Sequence, residues 1–279
     1  MKINSKALLL DAKEKGYAVP STNFIDLDSA RSYVSVAERL NLPLMLAYAE
    51  SHKDIISLEE AAAIGNYLAK KSKAPVVLHL DHGENVDFIF KAIDLGFSSV
   101  MIDASQLPFD ENVAISKKVA DYAHKFGVTV EAELGHVGAN ENFENHDETA
   151  SVYTEAKDVL DFVQQTGVDS LAISIGTAHG NYKGTPKINF ERLQEIHDLT
   201  DVPLVLHGGS SSGDENLNRC ATNGISKINI FTDFLNRAHE DVLAANTRDY
   251  LELKVTANKG MEAVIEHYLE VFNTQPFEI

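Results

Sequence analysis

One pattern repeats from end to end of the chain: a short apolar run, then an amphipathic stretch with apolar residues at three- and four-residue spacing. The apolar runs fall at 17–24, 43–49, 75–80, 98–103, 128–134, 169–175, 203–206 and 225–230. The amphipathic segments between and after them fall at 27–40, 58–71, 85–95, 112–125, 155–165, 190–199, 216–223 and 233–245. A leading helix is expected at 5–15 and a further C-terminal helix at 260–272. Gly96, Gly127, Gly167 and Gly224 each follow a helical segment, where a left-handed cap is expected. The runs are apolar almost throughout, as parallel strands covered on both faces must be.

Eight such units in 279 residues predict an α/β fold, a single (β/α)8 barrel over residues 1–279 with one helix before it and one after it. An open doubly wound sheet is disfavoured, because no Gly-x-Gly-x-x-Gly turn follows the first run. The one long irregular piece, 135–151, is polar and acidic, which suits a lid or binding loop.

Composition narrows the function classes. The formal charge is −18, from 24 basic and 42 acidic residues. That argues against binding to nucleic acid or to an anionic membrane surface, while a local site for a small anion stays open. The only cysteine, Cys220, sits between polar residues in an expected helix and reads as structural. No intrachain disulfide can form, which fits a cytoplasmic setting. No leading apolar stretch has the length of a signal peptide, and no run approaches 18 apolar residues.

In a barrel of this kind the chemistry lies at the C-terminal ends of the strands. The third run ends in Asp81-His82-Gly83 and the fourth in Asp103. The fifth carries Glu131 and Glu133. The sixth leads into Gly176-Thr177-Ala178-His179-Gly180, and the seventh into His207-Gly208-Gly209-Ser210. The eighth ends in Asn229, followed by Thr232 and Asp233. His82, His179 and His207 thus share one level on three strands, the arrangement of a zinc site with an open position. Three unrelated strand-end histidines are the competing reading. Gly208-Gly209-Ser210 and the segment 229–233 precede helices, where backbone N–H groups favour a phosphate. Gly180 and Lys183 add a donor and a charge.

The motifs HLDHG (79–83), GFSSVMIDAS (96–105), VEAELG (130–135), IGTAHG (175–180), LHGGS (206–210) and KINIFTD (227–233) together resemble the class II, zinc-dependent ketose-bisphosphate aldolases. The resemblance spans nearly the whole chain, in order. It implies reversible cleavage of fructose or tagatose 1,6-bisphosphate to dihydroxyacetone phosphate and an aldehyde, through an enediolate stabilised by zinc. Another phosphorylated ketose or keto sugar acid with one phosphate is the alternative. On this resemblance His82, His179 and His207 hold zinc, and Asp103 and Glu133 match second-metal positions, so a second divalent or a monovalent cation is also expected. Asp81 exchanges a proton with the C4 oxygen, and Glu141 moves the C3 proton. Asn23, Gly180, Lys183, Gly208, Gly209, Ser210, Asn229 and Thr232 contact substrate. Relatives suggest a homodimer or homotetramer. No Schiff-base lysine is expected: Lys183 and Lys227 are read as lying near the mouth, and none as lying deep within an apolar strand.

Some positions depart from the family pattern. Tyr48, Glu50 and His52 crowd the corner after the second strand, and Phe231 follows the eighth. His136 and Ala139 replace an arginine and a glycine common in relatives. Glu50 would disfavour a second phosphate nearby, unless it starts the next helix and faces solvent. His79, His124, His146, His197, His239 and His267 read as structural or solvated, with His79 alternating with Asp81 in a way that fits a place behind the metal. A metal-dependent hydrolase would carry a His-x-His pair on the first strand, which is absent. A non-catalytic barrel would have lost the acid and metal positions, which are present.

Overall fold

The computed structural model describes residues 1–135, 137, 153–178 and 186–278. Most of the expected lid at 135–151 lies outside them. Eight parallel strands form a closed barrel: β2 (Val19–Asn23), β3 (Leu44–Ala49), β4 (Val76–Gly83), β5 (Ser99–Ile102), β6 (Thr129–Leu134), β7 (Ser170–Ile173), β8 (Leu204–Leu206) and β9 (Ile225–Ile230). Each strand pairs with the next in sequence, β9 pairs with β2, and β4–β5 pairing completes the ring. The helices are α1 (Lys6–Lys15), α2 (Leu27–Leu40), α3 (Leu58–Lys71), α4 (Val86–Asp94), α5 (Phe109–Ala123), α6 (Ala156–Thr166), α7 (Phe190–Leu199), α8 (Asp214–Thr222), α9 (Thr232–Ala245) and α10 (Tyr250–Val271). Among the described residues, no helix is long and apolar enough to cross a membrane.

Local chemistry sets the helix starts. Asp26 accepts from Ser29 N–H and Ser57 from Glu60 N–H, each closing a capping box before α2 and α3. Gly96, Gly127, Gly167 and Gly224 all have positive φ, as their places after helices required.

The main core is the layer between strands and helices, where Leu46, Leu78, Val100, Leu206 and Ile228 pack with Tyr33, Ile89, Phe162 and Phe234. Each such large side chain, once buried, stabilises the fold by roughly 1.5–3 kcal/mol. Cys220 lies in this core, where burial pushes its thiol up to about 12, consistent with a structural role. A second cluster joins Leu8, Leu9, Ala12 and Tyr17 to Val19, Met45 and Val77. Helix α1 thus plugs the N-terminal end of the barrel, so the opposite end is the open one.

Two elements differ from expectation. Strand β1 (Lys2–Ile3) pairs with Val76 and Val77 of β4. The recorded β4–β5 pairing begins only at His79, so β1 partners the early part of β4. Two residues are too few to show a period. Helix α10 begins ten residues before the expected start, capped by Asp249 accepting from Glu252 N–H. Gly260 looked like a boundary. Instead it lies inside α10, where a Cβ would sit 3.3 Å from the Ala238 Cα of α9, so it marks close helix packing.

Candidate active site

The polar residues at the open end are there because of a fault in strand register. Leu80 pairs with Val100, but Gly83 pairs with Ile102. Three steps along β4 match two along β5, so β4 carries one extra residue, a bulge. Regular alternation would send Asp81 and His82 to opposite faces. The bulge, with His82 at φ 45°, turns both side chains into the mouth. A left-handed histidine costs of order 1–3 kcal/mol and persists only where its surroundings hold it. His82, rather than the glycine that follows it, thus makes the turn. Gly83 is not among the positive-φ residues; it is small because a Cβ there would meet Ile89 and the Met101 carbonyl, each at 2.7 Å.

Asp81 is buried, and both of its oxygens are held by amides. Asn23 Nδ2 donates to Oδ2 and Asn229 Nδ2 to Oδ1, each at 2.9 Å. Burial pushes its carboxyl up, but His82, His207 and Lys227 outweigh that and hold it well below the usual carboxylate range. Asn23 and Asn229, expected to contact substrate, therefore also aim the carboxylate, and both line the mouth cavity.

His82 Nε2 and His207 Nδ1 face each other at 2.7 Å. The opposite nitrogen of each ring is braced by a carboxylate: His82 Nδ1 by Asp103 Oδ2 and His207 Nε2 by Glu131 Oε1, both at 2.9 Å. Asp103 is itself fixed by the backbone N–H and hydroxyl of Ser105. Glu133 Oε2 lies 3.8 Å from His207 Nδ1 and has no hydrogen-bond partner among the described residues. Candidate ligand atoms of Asp81, His82 and His207 lie within 4.8 Å of one another, as do those of His82, Asp103 and Glu133.

This donor set fits a divalent cation. Carboxylate-braced imidazoles with converging nitrogens are how ligating histidines are oriented. Four carboxylates (Asp81, Asp103, Glu131 and Glu133) surround the pair, with Lys227 the one nearby side-chain cation among the described residues. The surplus of negative charge shifts the ionisable groups around it. Burial lowers His82, but Asp81, Asp103 and Glu133 raise it further, to about 9. Glu133 is pushed up to about 8 by burial, then by Asp103. His207 is lowered by burial, then by His82. His179, Gly180, Lys183 and Glu141 lie outside the described residues. The described chain runs to Ala178, against whose carbonyl Gly208 packs, beside His207.

The phosphate loops are only partly as expected. Gly208, Ser210, Asn229 and Thr232 line the mouth cavity, about 480 Å³ in volume. Gly209 does not, and its N–H is donated to the Asn229 carbonyl. Ser210 Oγ accepts from Phe231 N–H, and Asp233 ties the Ser211 backbone N–H and hydroxyl, joining the loops after β8 and β9.

Lys227 was misread. It does not lie near the mouth but is fully buried within β9, with Nζ 2.8 Å from both oxygens of Glu131. Lys227 also reaches His79 Nε2 at 3.3 Å, and His79 Nδ1 meets Ser99 Oγ at 2.8 Å. Burial and Lys227 lower His79 to about 3, so it serves as a neutral link. Burial raises Glu131, but Lys227 and then His207 outweigh it and keep it ionised. A polar column thus runs down the barrel from His207 to Ser99. Period-2 alternation held the signal: Lys227, His79 and Glu131 each sit two residues before a mouth residue (Asn229, Asp81 and Glu133) on the same strand face. Lys227→Met leaves the buried Glu131 carboxylate with the His207 imidazole but without its lysine counter-charge, and is expected to cost about 3–5 kcal/mol of stability. Urea unfolding measures this; a loss below about 1 kcal/mol would contradict the pairing.

Comparison with known proteins agrees with the geometry. The family model described as fructose-bisphosphate aldolase class-II matches residues 3–276. The YdjI aldolase of Escherichia coli K12 is similar at 30% identity, over 98% of each chain, with a TM-score of 0.89. A fructose-bisphosphate aldolase of Campylobacter jejuni shares the fold at 21% identity, over 99% of this chain and 97% of that one, with a TM-score of 0.84. A bulged strand with a clamped aspartate, carboxylate-braced histidines and this match over nearly all of its length place the chain in the class II fructose-bisphosphate aldolase family, as an aldolase on a (β/α)8 barrel.

Proposed function

We propose that residues 1–279 act as one catalytic domain that cleaves a phosphorylated ketose, reversibly, between C3 and C4. The products are dihydroxyacetone phosphate and an aldehyde. The observation that carries this reading is the Asp81 carboxylate clamped between Asn23 and Asn229 beside the His82–His207 pair. Zinc, held by His82 and His207 and by His179 as the third ligand, would supply Lewis-acid stabilisation for the negative charge that develops during cleavage. Asp81 is ionised and aimed, so it can take the C4 hydroxyl proton in cleavage and return it in condensation. Glu141 is assigned the C3 proton. Asp103 and Glu131 keep the imidazoles oriented, and Asp103 with Glu133 is the place for a second cation. Gly208, Ser210 and Thr232, with Gly180 and Lys183, take the C1 phosphate near the start of α9, where helix N–H groups favour an anion.

The test is release of dihydroxyacetone phosphate from a panel of fructose and tagatose 1,6-bisphosphates and ketose 1-phosphates. Turnover of at least one is expected, and silence across the panel would favour a binding module. A homodimer or homotetramer is supported by the exposed Leu243, Tyr250 and Leu251 on α9 and α10. Sedimentation as a monomer would remove that part. A cytoplasmic location fits the lone buried Cys220.

A further inference from the structure

One corner of the mouth carries Glu50, His52 and Phe231, three of the residues that depart from the family pattern. Glu50 does not face solvent. It is buried, and its Oε2 accepts from the backbone N–H groups of Glu84 (2.9 Å) and Asn85 (3.2 Å) ahead of α4. Asn85 Oδ1 takes the next donors, from Asp87 and Phe88. The anion position that a strand-to-helix turn offers is thus already filled by the protein's own side chains.

The charge around this corner is negative. Asp81, Glu84 and Asp103 line the cavity, and no lysine or arginine lines it among the described residues. Lys53 reaches Glu50 only at 3.9 Å and is largely exposed. The remaining wall is aromatic. The rings of His52 and Phe231 lie 4.8 Å apart at 41°, and both residues line the cavity. His52 Nδ1 is buried with no hydrogen-bond partner among the described residues. Burial lowers the His52 imidazole, leaving it neutral.

Resting on the aldolase reading above, we propose that the aldehyde half of the substrate is an uncharged polyhydroxyl chain and carries no phosphate. Its carbons pack on the His52–Phe231 wall and a hydroxyl meets His52 Nδ1. Glu50 is the specificity residue: it fills the N–H groups that a second phosphate would need and adds a like charge beside them. Among the described residues, a dianionic terminal phosphate would meet the carboxylates of Glu50, Asp81, Glu84 and Asp103 and no lysine or arginine.

The test uses the metal-loaded enzyme in the condensation direction, with dihydroxyacetone phosphate as donor and glyceraldehyde or glyceraldehyde 3-phosphate as acceptor. Separately, exchange of the C3 hydrogen of dihydroxyacetone phosphate with deuterated water is followed without any aldehyde. The expected result is exchange, together with a kcat/KM for glyceraldehyde at least about tenfold above that for its 3-phosphate. Glu50→Gln keeps an oxygen for the two N–H groups but loses the charge, and is expected to narrow that ratio about tenfold. Glu84→Gln, at an exposed position, shifts the ratio in the same direction and does not depend on Glu50 for folding. Exchange with equal or better use of the 3-phosphate overturns the inference and leaves the aldolase reading standing. No exchange overturns that reading, and the inference with it. A ratio unchanged in both variants overturns the assignment to Glu50.

Discussion

Asp81→Ala is expected to lower kcat for cleavage by about 10²–10⁴-fold, the range for loss of a positioned proton acceptor. The carboxylate is poorly replaced by solvent, because Asn23 and Asn229 hold both of its oxygens in a buried position. Its pKa lies well below the usual range because His82, His207 and Lys227 outweigh burial, so the acceptor form is ready at neutral pH. Bound metal should survive the substitution, since the imidazoles keep Asp103 and Glu131 as braces. Steady-state kinetics with elemental analysis of the same preparation checks both halves. A fully active variant would remove Asp81 from the chemistry. Loss of metal together with activity would make it a ligand instead.

Removal of the divalent ion is the second large effect. EDTA is expected to abolish cleavage, and zinc to restore it. The surplus of carboxylates over cations at the mouth gives the reason: a site charged in this way is balanced when an ion sits between the imidazoles. His82→Ala and His207→Ala should each lower the metal content, and the metal-loaded wild type should unfold at a higher temperature than the chelated protein. An ion bound at 100 times its Kd stabilises by about 2.7 kcal/mol. Activity that persists in protein shown by elemental analysis to hold no divalent metal would reject the metal-dependent mechanism.

The strands and helices were legible because their signals are local. Helices α2, α3 and α7 and strand β9 occupy the expected ranges. Apolar spacing at 2 or 3.6 residues survives any tertiary context that keeps a core. The errors have physical causes. Strand β1 is shorter than a period. Gly260 is neither a break nor a cap but lies at a helix contact, and a glycine reads alike from sequence in either place.

The sequence by itself determined the (β/α)8 barrel, the level at which the chemistry sits and the residue types gathered there, because alternation and strand ends follow from spacing alone. Tertiary structure decided how those residues work together. It put Asp81 and His82 on one side through a one-residue bulge, which is a relation between two strands and appears in neither. It buried Lys227 against Glu131 across the barrel, a pair 96 positions apart in the chain. It turned Glu50 inward onto the N–H groups of Glu84 and Asn85 rather than outward to solvent. Register and ion pairing depend on distances in space, and residue order encodes those only once the barrel has closed.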